Sequence, residues 1–480
     1  MADLFKSMIA GGATPAGALE VAAPFDRSPI ALIETSDGSA VEQALATADQ
    51  LFRDRSRWLP IHQRIAILER TAAIMTERVE TLAIEAAREG GKPLLDSRVE
   101  VARAIDSIRI CVDCLRTATG ETVPMGINPA SAGRLAFTTR EPIGVVVAVS
   151  AFNHPLNLIS HQVGPAIAAG CPVIVKPAED TPLSCFRFVD ILREAGLPDE
   201  WCQALITSSL DVATQLVTDP RVAFLSFIGS ARVGWMLRSK LAPGTRCALE
   251  HGGAAPVIVA EDADMDDALP KLLKGGFYHA GQVCVSVQRI FAHRSIAREL
   301  AMKLAEGANR LVMGNPILAE TEIGPLIRPT EVERVDQWVK EAIKEGAERL
   351  AGGMPISDTT YACTVLYNPS SESKVSTQEI FGPVICVYPY NEMDDAINQA
   401  NLLPYAFQAA VFSKDIDTAI RAYERLNASA VMINDHTAFR VDWMPFAGLR
   451  ESGLGVGGIP YTFRDMQIEK MMVVNSRELI

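Results

Sequence analysis

The chain has 480 residues, 48% of them hydrophobic and 21% charged, a balance that suits a folded protein with more than one core. Its 45 basic and 58 acidic residues give a formal charge of -13, which disfavours a general nucleic-acid surface but allows a local anion pocket. No sustained apolar core follows Met1, and runs such as 145–149 and 173–175 are too short to span a bilayer, so neither a secretory leader nor a membrane segment is expected.

Residues 38–90 are expected to be mainly helical, because 41–48 and 61–87 repeat apolar positions at three- and four-residue steps until Gly90-Gly91-Lys92-Pro93 breaks the pattern. A second helix is expected over about 99–117, with Arg103 and Arg109 on it. Gly and Pro enter over 121–139, where 135–139 reads as a strand of an arm that pairs outside its parent domain. From Pro142 the text alternates. Strands are expected at 144–149, 171–175, 204–206 and 222–227, with helices at 156–169, 184–195 and 211–217 between them. A second series after Glu250 holds strands at 256–259 and 290–292 and helices at 266–280 and 330–346. Short apolar strands separated by helices fit mostly parallel sheets covered on both sides. The tail 467–474 is a candidate partner for the arm.

Cys284 stands in Gly281-Gln282-Val283-Cys284-Val285-Ser286, downstream of Glu250-His251-Gly252-Gly253. A sulfur nucleophile and a carboxylate that activates water are what thioester formation and hydrolysis require. The other cysteines, at 111, 114, 171, 185, 202, 247, 363 and 386, sit singly in apolar or helical text and are expected to be reduced, buried thiols of a cytoplasmic protein. Gly229-Ser230-Ala231-Arg232-Val233-Gly234 follows a strand and opens a helix, so its N–H groups can face a pyrophosphate. It is not a GxGxxG fingerprint, and in isolation an ordinary turn is the favoured reading of it. No metal-ligand set is expected.

Six stretches occur in order: Phe152-Asn153-His154-Pro155, Val175-Lys176-Pro177-Ala178-Glu179, Phe227-Ile228-Gly229-Ser230, Glu250-His251-Gly252-Gly253, Gly281-Gln282-Val283-Cys284 and Glu379-Ile380-Phe381-Gly382-Pro383. Together they resemble the NAD(P)-dependent aldehyde dehydrogenase superfamily, non-CoA-acylating, with Glu141-Pro142-Ile143-Gly144-Val145 and Gly453-Leu454-Gly455 extending the likeness over nearly the whole chain. The resemblance implies an α/β fold with a Rossmann-like cofactor domain (1–122 and 143–251), an α/β catalytic domain (252–452) and an oligomerisation arm (123–142 and 463–480). It implies Cys284 as nucleophile, Asn153 as oxyanion donor and Glu250 as water-activating base. On the cofactor side it implies Lys176 and Glu179 at the adenosine ribose, Gly229, Ser230 and Gly234 at the pyrophosphate, and Glu379 with Phe381 at the nicotinamide ribose. Glu179 would favour NAD, since a 2'-phosphate would meet like charge there. His251 stands where the family usually has Leu, and is expected to alter packing rather than abolish catalysis.

On the substrate side, His154, Asn157 and His161 replace the greasy residues that several relatives carry, which favours a small hydroxylated or anionic aldehyde. Arg103, His154 and Arg440 look like three members of the anion-binding set of phosphonoacetaldehyde dehydrogenases, but Val283 stands where those carry another Arg. Lactaldehyde, glycolaldehyde, succinate semialdehyde and sulfoacetaldehyde are all compatible, and Arg440 has the alternative of pairing with Asp442 or another carboxylate. A CoA-acylating enzyme and a non-enzymatic protein on the same fold are the alternatives; Glu250 argues against the first, and the joint presence of Cys284, Asn153, Glu250 and Glu379 against the second. The arm and tail imply a homodimer, or a tetramer built from two dimers.

Overall fold

The valine- and isoleucine-rich runs form two separate, mostly parallel sheets in the computed structural model, which describes residues 3–479. Covered on both faces, these strands need no polar alternation: Val145–Val149 is buried at every residue but its last.

The first sheet runs in the order Gly453–Leu454, Arg246–Glu250, Val222–Ile228, Val145–Val149, Val173–Lys176, Cys202–Ala204, and is parallel except at the Gly453–Leu454 edge. From Val145–Val149 the chain builds outward on one side and then returns to build on the other. The strand order therefore reverses between Val145–Val149 and Val222–Ile228, which opens a crevice beyond their carboxyl ends. The helix Asn157–Ala169 is buried along its whole length and packs against the helix Leu94–Thr117. The second sheet runs Glu348–Ala351, Thr364–Tyr367, Val384–Tyr390, Val287–His293, Ala255–Val259, Gln408–Phe412, Ala430–Ile433, antiparallel only in its first pair. Each sheet has its own apolar core.

A third sheet is antiparallel and joins Thr122–Val123, Arg134–Pro142 and Gln467–Asn475, with Gln467 opposite Pro142 and Asn475 opposite Arg134. Ile468, Met471, Met472, Val473 and Val474 on the last strand are exposed.

Several expectations change in detail. The tract 38–90 divides into Gly38–Arg53, Ile61–Glu77 and Val79–Gly90. The next helix begins at Leu94 rather than near 99, because Pro93 starts a helix as well as ending one, and because buried Asp96, Ser97 and Glu100 disguise its inward face. The expected strand at 204–206 splits: Cys202–Ala204 stays in the first sheet, while Ile206–Thr207 pairs with Pro29–Ser36 in a separate sheet with Asp3–Phe5 and Gly17–Ala22. The tail strand runs Gln467–Asn475, one residue beyond the expected 467–474, and Phe463 and Met466 before it are core residues. All nine cysteines are unpaired, but Cys114 and Cys247 are half-buried rather than buried. No helix among the described residues is long and apolar enough to cross a membrane.

Candidate active site

A cleft of about 1140 Å³ lies between the ends of first-sheet strands and loops that flank the second sheet, and is lined by Asn153, Glu250, Cys284, Glu379 and Arg440 among others. Cys284 enters it after three consecutive left-handed residues, His279 (φ 48°), Ala280 (φ 54°) and Gly281 (φ 71°). His279 and Ala280 hold a conformation that suits glycine only because the buried surroundings dictate it. At Gly281 a Cβ would collide with the Gly382 carbonyl. Gln282 then pins the loop. Its side-chain amide donates to the carbonyls of His279 (3.2 Å) and Pro325 (3.1 Å), and its Oε1 accepts from the Ile327 N–H (3.0 Å). Its main-chain carbonyl accepts from Asn153 Nδ2 at 2.9 Å, which ties the thiol loop to the crevice edge of the first sheet. Nδ2 carries two hydrogens, so one remains for another acceptor.

Glu250 ends the strand Arg246–Glu250 and brings Oε1 to 3.9 Å from Cys284 Sγ. Burial pushes the thiol well above its ordinary value, and the charge of Glu250 adds to that. Burial also raises the Glu250 carboxyl, with Arg440 and then Arg103 offsetting part of the rise. The pair is thus a reluctant thiol beside a carboxylate of strengthened basicity. Arg440 Nη1 lies 4.0 Å from the same Glu250 oxygen, its guanidinium sits 3.5 Å from the centre of the Phe446 ring, and its Nε is buried without a partner.

The remaining substrate-side residues gather around Asp442. This carboxylate is 2% exposed and accepts a forked pair of bonds from Arg103, at 3.0 and 2.6 Å. His161 Nε2 donates to it at 2.7 Å and Asn157 Nδ2 lies at 3.4 Å. Burial alone would raise the Asp442 carboxyl, but the His161 bond and the Arg103 fork hold it well below the usual range. Arg103 therefore reaches the cleft with its fork already engaged. His161, depressed to about 4 by burial, is neutral and lies outside the cleft lining, where it faces Asp442. Its Nδ1, left as an acceptor, faces Arg440 Nη2 at 3.5 Å. Asn157 lines the cleft with its amide facing Asp442. His154 also lines the cleft, 3.4 Å from Tyr278 Oη, and is held neutral by burial and by the Lys92 and Arg103 charges.

Two supports escaped the sequence reading. Glu100 accepts the N–H groups of Leu156 (2.9 Å) and Asn157 (3.1 Å), anchoring the start of the helix Asn157–Ala169, while its other oxygen pairs with the buried Lys92. The second support is Gln282, whose three side-chain bonds hold the Cys284 loop.

On the opposite side, Glu379 is half-buried, with its carboxyl pushed up to about 7 by burial. Its only donor among the described residues is the Gly253 N–H, at 3.2 Å, and a Cβ at Gly252 would collide with the carboxylate. Arg334 braces that loop by donating to the Ile380 carbonyl at 2.7 Å, and Phe381 meets Phe152 edge-on at 5.7 Å. Gly229 and Ser230 line the cleft at the start of the helix Ala231–Arg238. Gly234 does not: a Cβ there would strike the His251 ring, so this glycine makes room for an imidazole. His251 Nδ1 donates to the Gly229 carbonyl at 2.8 Å, and its Nε2 is buried without a partner. Lys176 and Glu179 pair with each other at 3.2 Å beside the cleft, which Ala178 and Asp180 line.

Residues 12–472 match the sequence profile of the Aldehyde dehydrogenase family. A 3-sulfolactaldehyde dehydrogenase from Priestia aryabhattai is 37% identical over 462 residues, 96% of each chain. A lactaldehyde dehydrogenase from Methanocaldococcus jannaschii is 34% identical, covering 95% of this chain and 97% of its own. Among solved structures, aldehyde dehydrogenase 21 from Physcomitrella patens, in complex with the reaction product succinate, superposes with a TM-score of 0.95 at 31% identity over 100% of both chains. With the profile running through almost its full length and the likeness extending end to end in sequence and fold, this chain belongs to the aldehyde dehydrogenase family.

Proposed function

We propose that the chain oxidises a small anionic aldehyde to its carboxylic acid with NAD, through a thioester on Cys284 that water releases. The observation that carries this reading is the approach of Cys284 Sγ to Glu250 Oε1, 3.9 Å, in the cleft that Arg440 also lines. Glu250 takes the thiol proton and the Cys284 sulfur adds to the aldehyde carbon. The oxyanion that forms is met by the free Nδ2 hydrogen of Asn153 and by the backbone N–H of Cys284. One such donor is worth roughly 3 kcal/mol in the transition state. NAD, when bound, supplies the acceptor for the hydride that turns the thiohemiacetal into a thioester. Glu250 passes the thiol proton on to solvent and, again a carboxylate, removes a proton from water as its oxygen attacks the thioester carbon, and Cys284 leaves as thiolate.

The residues fit the cofactor. Glu379 has acceptor capacity left for ribose hydroxyls, and Gly252 leaves the space its carboxylate occupies. Gly229 and Ser230 would hold the pyrophosphate, and Lys176 with Glu179 the adenosine ribose, where the Glu179 carboxylate supports NAD over NADP. For the substrate, the buried and under-satisfied Arg440 guanidinium favours a distal anion. The two curated relatives are named for small hydroxylated aldehydes, one of them a sulfonate. Residues 1–122 and 143–251 would serve the cofactor and 252–452 the chemistry. The exposed apolar tail strand supports association into a dimer or a dimer of dimers through 123–142 and the tail, a state that light scattering over a concentration series tests.

Turnover is tested with NAD and a panel of small aldehydes, with and without CoA. Acid should form without CoA, and carboxylated or sulfonated aldehydes should give the highest kcat/KM. Glu250→Gln should retain more of the first NADH burst than of steady turnover. Turnover that requires CoA, or normal steady hydrolysis by Glu250→Gln, overturns the reading.

A further inference from the structure

We propose that Arg440 couples recognition of the substrate's distal anion to the catalytic base: an anion bound by the guanidinium draws it off Glu250 and frees that carboxylate to accept protons. The proposal rests on the anionic-substrate reading above and adds to it a consequence for the chemistry.

The argument begins with donors and acceptors. A guanidinium carries five N–H hydrogens. Arg440 has one acceptor at the limit of hydrogen-bond reach, His161 Nδ1 at 3.5 Å, and an ionic contact to Glu250 Oε1 at 4.0 Å. Its Nε has no partner, and the Phe446 ring covers one face. The neighbouring carboxylate cannot complete the set, because Asp442 is already taken up by Arg103 and His161, with Asn157 alongside. The next acceptor for Arg440 must arrive in the cleft.

Glu250 is faced by few charges. Arg440 and Asp442 lie on the segment between the strands Ala430–Ile433 and Leu449–Arg450, and Arg103 comes from the helix Leu94–Thr117. His161 and His154 are both neutral, Cys284 is the thiol partner, and Glu379 faces Cys284 from the cofactor side. Among these only Arg440 is both close to Glu250 and uncommitted elsewhere. With Arg440 beside it, Glu250 holds its negative charge more readily and takes a proton less readily. A sulfonate or carboxylate on Arg440 cancels that effect; a neutral aldehyde leaves it in place. The base is then at its strongest when an anionic substrate fills the cleft, so the same side chain selects the substrate and sets the chemistry.

The test needs no aldehyde. p-Nitrophenyl acetate, which should acetylate Cys284 without cofactor, carries no distal anion, so the acid limb of its deacylation should report the protonation of Glu250. Deacylation is followed across a pH series at constant ionic strength, with and without methanesulfonate. In the wild type, methanesulfonate should move the midpoint of the acid limb upward by about one pH unit. In Arg440→Gln the limb should already sit at the higher position, and methanesulfonate should not move it. No shift in the wild type, or an equal shift in Arg440→Gln, overturns the coupling. Arg440→Lys replaces the Gln variant if circular dichroism shows that one misfolded; it should shift less than the wild type, and an equal shift again overturns the coupling. Failure here is distinct from failure of the substrate reading, which is judged by whether anionic aldehydes are preferred in kcat/KM.

Discussion

Arg103 and Arg440 look alike in the sequence, as two members of one anion-binding set, and the structure separates them. Arg103 closes a fork on a carboxylate that is 2% exposed, and that carboxylate also takes a bond from His161. Arg440, on the same side of the cleft, rests on an aromatic face with one weak acceptor and an orphaned Nε. The first charge is committed within the protein and the second is not. The difference teaches that a buried arginine is a ligand-binding candidate when its donors are short of acceptors, whatever its position along a motif.

The sharpest way to break the comparison is to remove the internal carboxylate. Asp442→Asn should leave Arg103 uncompensated and cost about 3 kcal/mol, the low end of the range for a broken buried pair because Arg103 is 23% exposed. Denaturant unfolding at neutral pH measures this. The same variant should flatten the acid side of the stability profile. The folded Asp442 carboxyl lies below its unfolded value of ~3.9, so its contribution is complete above that value and is lost as pH falls toward the folded one.

Next in size, Arg440→Ala should lower kcat/KM for an anionic aldehyde relative to a neutral one of equal length by about 10- to 150-fold, or ~1.5–3 kcal/mol. Matched NAD saturation and ionic strength are required. An equal loss for both substrates would make Arg440 a structural residue like Arg103. Arg103→Gln should do the converse, lowering stability with little change in that ratio. The smallest effect is expected from His251→Leu. It loses the bond to the Gly229 carbonyl but removes a buried nitrogen without a partner, so stability should change by no more than about 1 kcal/mol. NAD affinity by titration calorimetry reports whether the Gly229 turn has moved.

Much of the candidate site was legible because its residues sit in contiguous motifs: Asn153, Glu250, Cys284 and Glu379 each fall in one, and all reach one cleft. The alternating strands were legible because fully buried strands are apolar runs. What escaped depends on pairs distant in sequence. Arg103 and Asp442 are 339 positions apart, and no local pattern predicts that one will consume the other. His161 was read as a cleft residue because helix spacing gives a face but not what already occupies it. A glycine in such a loop suggests backbone approach to a phosphate, and sequence alone does not show that the His251 ring packs against Gly234. The Lys92–Glu100 pair was invisible because a charge in a turn, like Lys92, or on a helix, like Glu100, ordinarily faces water.

The pairing of Arg134–Pro142 with Gln467–Asn475 also bears on how the chain is made. Arg140 and its partner Glu469 are 329 positions apart. At ~5–20 residues per second a ribosome needs roughly 15 to 65 s to travel between them. Throughout that interval one long edge of Arg134–Pro142 has no strand beside it, since Thr122–Val123 covers only two residues on the other side. An open edge invites pairing with another nascent chain on the same message. The arm is therefore most vulnerable during synthesis, and slowing translation over the last third of the message should raise the yield of aggregate without altering the stability of the finished protein.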